Sequence, residues 1–226
     1  MRVIVYVEGA SDKAAMSALL SPLIERKRHE GIRIEFYETP PGDRKVSLLR
    51  KAPVRAANII LNDPEAIVIV MPDLYPLNKG VPHSNVAELE AGVREEFEKA
   101  LCKKRGGTDS RHTDRFKFFC LKYDLESLIL AAQDSLRMHL GARILTRKWK
   151  TPVEEQDDDN PPKKIVEAVF AEHDRMYHPT IDAPLILRSC DYLDLAERCS
   201  QCFKPFVEFL ENISRDAPGA RSAPGS

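Results

Sequence analysis

Three short stretches of the chain are apolar on nearly every residue. Residues 3–7 read Val-Ile-Val-Tyr-Val, residues 66–71 read Ala-Ile-Val-Ile-Val-Met, and residues 116–122 read Phe-Lys-Phe-Phe-Cys-Leu-Lys. Runs of this length, rich in β-branched and aromatic residues, predict strands buried on both faces of a sheet. Residues 32–37 alternate apolar and polar and predict a further strand. Helical spacing fills the intervals. Ala14, Ala15, Leu19, Leu20, Leu23 and Ile24 form one apolar stripe, with Ser11 or Asp12 as N-cap and a stop at His29-Glu30-Gly31. A turn at Pro40-Pro41-Gly42-Asp43 precedes a predicted helix over 45–61, which Pro53 should interrupt or kink. Asn62-Asp63-Pro64 closes that segment, and 86–101 predicts an amphipathic helix with an acidic polar face. Strand and helix alternate, which predicts a mainly parallel sheet with right-handed crossovers.

Elsewhere the pattern weakens. Residues 103–115 carry no apolar periodicity and predict a mobile loop. Residues 149–164 hold the run Asp157-Asp158-Asp159 and predict a surface loop with its acids solvated. Helical patterns return over 162–174, 185–198 and 201–213, and 216–226 reads as a disordered tail. The expected organisation is an α/β core over 1–145, a helical C-terminal extension over 146–214, and a tail over 215–226.

Composition narrows the classes. The chain has 226 residues, enough for one sizeable α/β domain with an appendage. A formal net charge of -1 gives no global basic field, so nucleic acid would be met by local patches. Lys103, Lys104 and Arg105, with Arg111 and Arg115, form one such patch; Arg143, Arg147, Lys148 and Lys150 around Trp149 form another. There is no apolar run long enough to span a membrane, and the N-terminus reads as a strand rather than a leader. Five irregularly spaced cysteines read as reduced thiols of a cytoplasmic protein. The lone Cys199-Ser200-Gln201-Cys202 lacks the further ligands of a zinc site and fits a helix start instead. There is no phosphate-cradling glycine loop, so the chain is not expected to hydrolyse ATP itself.

The chemistry lies where the strands end. The first buried run stops at Glu8-Gly9, the second leads through Pro72 to Asp73, and the third to Asp124 and Glu126. Parallel strands would bring Glu8, Asp73 and one of Asp124 or Glu126 to a single sheet edge, where α/β proteins bind ligands. Converging carboxylates repel unless a cation neutralises them, and all-oxygen ligation suits Mg²⁺ or Mn²⁺. A Mg²⁺ held by few carboxylates keeps water and commonly meets phosphate, which points to phosphodiester hydrolysis.

The residues Val-Ile-Val-Tyr-Val-Glu-Gly followed by Ser11-Asp12, and the second strand ending Ile-Val-Ile-Val-Met-Pro-Asp, resemble the Toprim domain of topoisomerases, primases and OLD-family nucleases. The remainder is similar to a stand-alone Toprim-like family of unknown function often encoded beside ATPases in bacterial defence loci. The resemblance implies a Toprim-like sheet, Mg²⁺ or Mn²⁺, and metal-dependent cleavage of DNA or RNA in anti-phage defence. It implies Glu8 as metal ligand or general acid/base, Asp73 as ligand, and Glu126 with Asp12 completing the site. Lys13 or Lys45 would supply a cation near the scissile phosphate. An ATPase encoded nearby would be the partner, and a homo-oligomer is compatible with it. One departure stands out. The usual second strand ends in Asp-x-Asp, whereas here Tyr75 takes the place of the second acid. The alternative is therefore a catalytically inactive Toprim-like subunit that binds an ATPase partner or nucleic acid.

Overall fold

The computed structural model describes residues 1–39, 42–105, 107 and 109–214. Pro40 and Pro41 of the expected turn, Gly106 and Thr108 of the expected loop, and the expected tail lie outside the described residues. The sheet is built from β1 (Arg2–Val7), β2 (Arg33–Glu38), β3 (Ala66–Val70) and β4 (Phe116–Phe118), in the order β2-β1-β3-β4. Every pairing is parallel, with Val3 opposite Ile34 and Ile67, and Val70 opposite Phe118. The three apolar runs are thus neighbours in one parallel sheet, as their patterns predict. The third run leaves regular pairing after Phe118 because Pro72 on the adjacent chain has no N–H to donate. Pairing resumes one step later, where Leu74 N–H donates to Leu121 O at 2.7 Å.

Between β1 and β2 the chain forms α1 (Ala10–Leu19) and α2 (Ser21–His29), two helices rather than the single expected one. Pro22 stands in the first turn of α2, where its missing N–H costs nothing but where it cannot continue α1. The long α3 (Arg44–Asn62) runs unbroken through Pro53, which is buried against its neighbours. The next helix, α4 (Val86–Arg105), reaches through Lys103, Lys104 and Arg105, and α5 (Ser110–Thr113) follows, so 103–115 is largely helical and not the loop expected. Arg115 closes it, donating to the carbonyls of Ile60, Asp63 and Ala66 at 2.8, 2.7 and 3.2 Å. Beyond β4 come α6 (Glu126–Ala131), α7 (Gln133–Leu140), α8 (Pro162–Ala171), α9 (Pro179–Arg188), α10 (Tyr192–Arg198) and α11 (Phe203–Asn212). The expected helix over 185–198 is two, parted at Asp191, whose side chain caps α10 by accepting from Leu193 N–H at 2.8 Å.

The alternation of side chains along each strand divides the core. Ile4, Tyr6, Val68, Val70, Phe116 and Phe118 face α3 and α4. Val3, Val5, Val7, Ile34, Phe36 and Ile69 face α1, α2 and the helices after β4. The C-terminal helices therefore pack on one face of the sheet and share its core. On that face α11 seats Phe206 edge-on to Phe36 at 6.4 Å and to Phe119 at 5.4 Å, and α9 packs along α1. The expected surface loop at 149–164 also contributes: Val153, Glu154 and Gln156 are buried, and Trp149 packs against the same core. Glu154 accepts from the N–H groups of Gln201 and Cys202 at 2.9 and 2.8 Å, so the Cys-x-x-Cys segment is a helix start. Among the described residues no helix is long and apolar enough to cross a membrane.

This arrangement predicts that residues 1–145 alone do not fold, because the core on one sheet face would lose α8 to α11. A soluble 1–145 fragment with a cooperative melt would show the extension to be an independent unit. Within the whole chain, Phe206→Ala should cost about 3–5 kcal/mol in denaturant titration, the range for a large aromatic lost from a packed core.

Candidate active site

The chain reverses direction across the sheet between β1 and β3. The crossover from β1 leaves on one face through α1, and that into β3 arrives on the other through α3. Such a switch opens a crevice at the C-terminal strand ends. Glu8 ends β1 on one side of it, and Asp73 follows β3 on the other. They are joined across the gap, Glu8 Oε1 accepting from the Asp73 N–H at 3.2 Å. Each wall is pinned by a buried donor. Thr39 Oγ donates to Glu8 O at 2.7 Å, and Lys45 Nζ donates to the carbonyls of Leu74 and Pro76 at 2.7 and 2.9 Å.

Three more acids enter the same cleft. Asp12 lies in the first turn of α1 and reaches back, Oδ2 accepting from Gly9 N–H at 2.8 Å. Gly9, not Ser11 or Asp12, is the N-cap residue. Asp124 Oδ2 accepts from Lys163 N–H at 3.3 Å at the start of α8, while its Oδ1 is buried with no hydrogen-bond partner. Glu126 opens α6 and is buried, Oε1 accepting from the Tyr177 hydroxyl at 3.0 Å. Glu8, Asp12, Asp73, Asp124 and Glu126 all line one cleft of about 680 Å³. The sequence leaves Asp124 and Glu126 as alternatives; the fold brings in both.

Burial and mutual repulsion disfavour the charged forms. Glu8 is pushed up to about 7, chiefly by burial, against the Asp73 N–H bond and Lys45. Asp124 is pushed up to about 8 by burial and then by Glu126. Asp73 stands well above the usual carboxylate range through burial, then the charges of Glu8, Asp12, Asp124 and Glu126. Asp12 and Glu126 are raised, again mainly by burial. Neutral pH thus meets a cluster that gains by taking up protons or a cation.

The donor set fits a hard divalent ion in its chemistry. It is all oxygen, Glu8, Asp12, Asp124 and Glu126 are each anchored by one oxygen to a backbone N–H or a hydroxyl, and one buried oxygen of Asp124 is orphaned. As the side chains stand, no three His, Cys, Asp or Glu among the described residues are drawn close enough to share an ion.

Two cations line the cleft that the sequence did not single out, Arg44 and Lys163. Among the described residues neither side chain makes an ion pair. Arg44 lies over Gly9, where a Cβ would sit 2.8 Å from Nη1 and the guanidinium would have to move aside. The expected basic residues fall elsewhere. Lys13 is exposed and outside the cleft lining. Lys45 is buried with its ammonium committed to two carbonyls. Lys103, Lys104 and Arg105 end α4, whose 20 residues span about 30 Å, and none of the three lines the cleft. Asp158, expected to be solvated, reaches the cleft wall and accepts from the Tyr123 hydroxyl at 3.3 Å. Tyr75 stacks on Tyr123 in that wall.

The chain belongs to the family described as a domain of unknown function, DUF4276, whose model matches residues 7–211. Among solved structures, the chain is similar to the C-terminal region of the Burkholderia pseudomallei OLD protein. That match has 14% identity and a TM-score of 0.47, and covers 93% of this chain and 97% of that one. No curated protein matches it.

The raised carboxyls set a pH dependence. Glu8 and Asp124 titrate at about 7 and about 8 in the fold, against roughly 4 in an unfolded chain. Their contribution to stability is full below about pH 4 and is lost as pH rises to about 8. A divalent cation bound in the cleft would replace the protons. The rise in Tm given by Mg²⁺ or Mn²⁺ should therefore be larger at pH 8 than at pH 5, and Asp124→Asn should raise the metal-free Tm at pH 8. Equal shifts at both pH values would remove the cleft as the cation site.

Proposed function

We propose that the protein is a Toprim-like, metal-dependent nuclease that hydrolyses phosphodiester bonds of DNA or RNA as the effector of an anti-phage defence module with an ATPase partner. The observation that carries the hydrolytic reading is the convergence of Glu8, Asp12, Asp73, Asp124 and Glu126 on one cleft that also holds Arg44 and Lys163. Acids alone would repel a phosphodiester; acids beside two cations suit one that arrives with a divalent ion. The strand-acid motifs support the Toprim part of the reading, and the defence context rests on the sequence resemblance.

Glu8, Asp73, Asp124 and Glu126, with Asp12, would hold Mg²⁺ or Mn²⁺. When bound, such an ion supplies charge neutralisation at the phosphoryl oxygens and a more acidic water. The chain's own residues do the rest. Arg44 and Lys163 neutralise and orient phosphate oxygens, Arg44 by its planar fork. Glu8 keeps Oε1 on the Asp73 N–H and leaves Oε2 to hold or release a proton near neutral pH, where its carboxyl titrates. Lys45 keeps the chain beyond Asp73 in place, so that both carboxylates stay at the switch point.

Tyr75 favours a second reading, a binding subunit without turnover, since its phenol is no substitute for a carboxylate. Its acidity is further weakened, by burial first and then by Asp158. The two readings separate in one assay. Single-stranded and duplex DNA and RNA are incubated with the full chain and Mg²⁺ or Mn²⁺, beside Glu8→Gln. Cleavage that falls by about 10²-fold or more in the variant supports the enzyme. Retained nucleic-acid binding with no cleavage in any metal leaves the binding subunit.

A further inference from the structure

One wall of the cleft is aromatic and the nuclease reading does not use it. Tyr75 and Tyr123 lie face to face, centroids 4.9 Å apart and planes within 7°. The pair is rigid. Tyr123 is buried, and its hydroxyl donates to Gln156 O and to Asp158 Oδ1 at 3.3 Å. Tyr75 lies on that fixed ring, half-buried, in the lining of the cleft. Pro76, Leu77, Pro161 and Pro179 continue the apolar wall, while Arg44 and Lys163 share the lining with the carboxylates. A flat apolar surface beside cationic groups is complementary to a nucleobase carried on a phosphate.

We infer that the Tyr75–Tyr123 stack is a base-binding platform, so that the cleft takes an unpaired nucleobase of a single-stranded or frayed polynucleotide. This rests on the nucleic-acid reading above and narrows its substrate. In a duplex each base is covered on both faces by its neighbours, so it must leave the helix to lie on a tyrosine. A volume of about 680 Å³ is that of a small-ligand cavity and is far too small for a double helix. Stacking has no need of a particular base, so the platform selects strandedness and not sequence.

The test uses the full chain carrying Glu8→Gln, with Mg²⁺ present, so that it does not depend on turnover. Its probe is an oligonucleotide containing 2-aminopurine, whose fluorescence is quenched on stacking. Single-stranded probe should bind with quenching, in DNA or RNA form. Duplex of the same sequence should compete at least about tenfold less well. Adding Tyr75→Ala should remove the quenching and weaken binding about tenfold or more, and Tyr75→Phe should restore both. Quenching that survives Tyr75→Ala, duplex that competes equally, or a free 2-aminopurine nucleotide that binds as tightly as the oligonucleotide would each overturn the inference. Should Tyr75→Ala fail to fold, the competition between single strand and duplex decides it. Cleavage by the unmutated chain without quenching here would overturn the platform and leave the nuclease; quenching without cleavage would do the reverse.

Discussion

The hydrogen bond from Asp73 N–H to Glu8 Oε1 spans the gap between β1 and β3, and much of the molecule serves to keep its two ends there. A carboxylate at a buried sheet edge is costly, and a second beside it more so. The fold meets that cost with backbone donors rather than salt bridges. Glu8, Asp12 and Asp124 each accept from a main-chain N–H, and Glu126 accepts from a tyrosine hydroxyl. Bonds of this kind fix each acid without cancelling its charge. The remaining charge is left for something that comes from solution.

That solution requires the C-terminal third. Lys163 and the α8 backbone N–H that holds Asp124 come from it, as does Tyr177 on Glu126. The turn bearing Tyr177 is itself tied down: Asp182 accepts from His178 N–H at 2.7 Å and lies 2.8 Å from His139 Nε2. The helices that cover one face of the sheet thus also complete the cleft. Core stability and site geometry are one arrangement, since α8 packs on α6 and α9 on α1, and the same elements hold Asp124 and Glu126.

What the sequence makes legible follows from which forces are local. Residues 3–7, 66–71 and 116–122 announce their strands because burial on both faces demands apolar residues at consecutive positions. Glu8 and Asp73 are legible because they break those runs at their C-terminal ends. The N-cap at Gly9 is not, because Asp12 reaches it from the next turn. Nor are Arg44 and Lys163, which sit among other basic residues at the starts of α3 and α8 and acquire meaning only when those helices converge. Lys103, Lys104 and Arg105 show the converse, since their place relative to the cleft is not legible from composition. Their composition suits a phosphate backbone, but none of them lines the cleft. Asp158 looks solvated in a run of three acids, yet it backs the tyrosine stack.

Tyr75 draws these strands together. Two positions beyond Asp73, an acid would add a further charge to a cleft where Asp73 is already held well above its usual range by burial and by four neighbouring acids. A tyrosine there adds none. Its ring instead extends the apolar wall that Tyr123 anchors, and it leaves the carboxylates that remain to be neutralised by Arg44, Lys163 and whatever cation the cleft takes up. Asp12 and Asp124 bring the oxygen donors back, from α1 and from the turn before α6. With a tyrosine at position 75, the cleft still draws carboxylates from two neighbouring elements. A cleft built in this way has a charged floor and an aromatic side, and in the proposed function that asymmetry would orient a nucleotide with its phosphate toward the acids and cations.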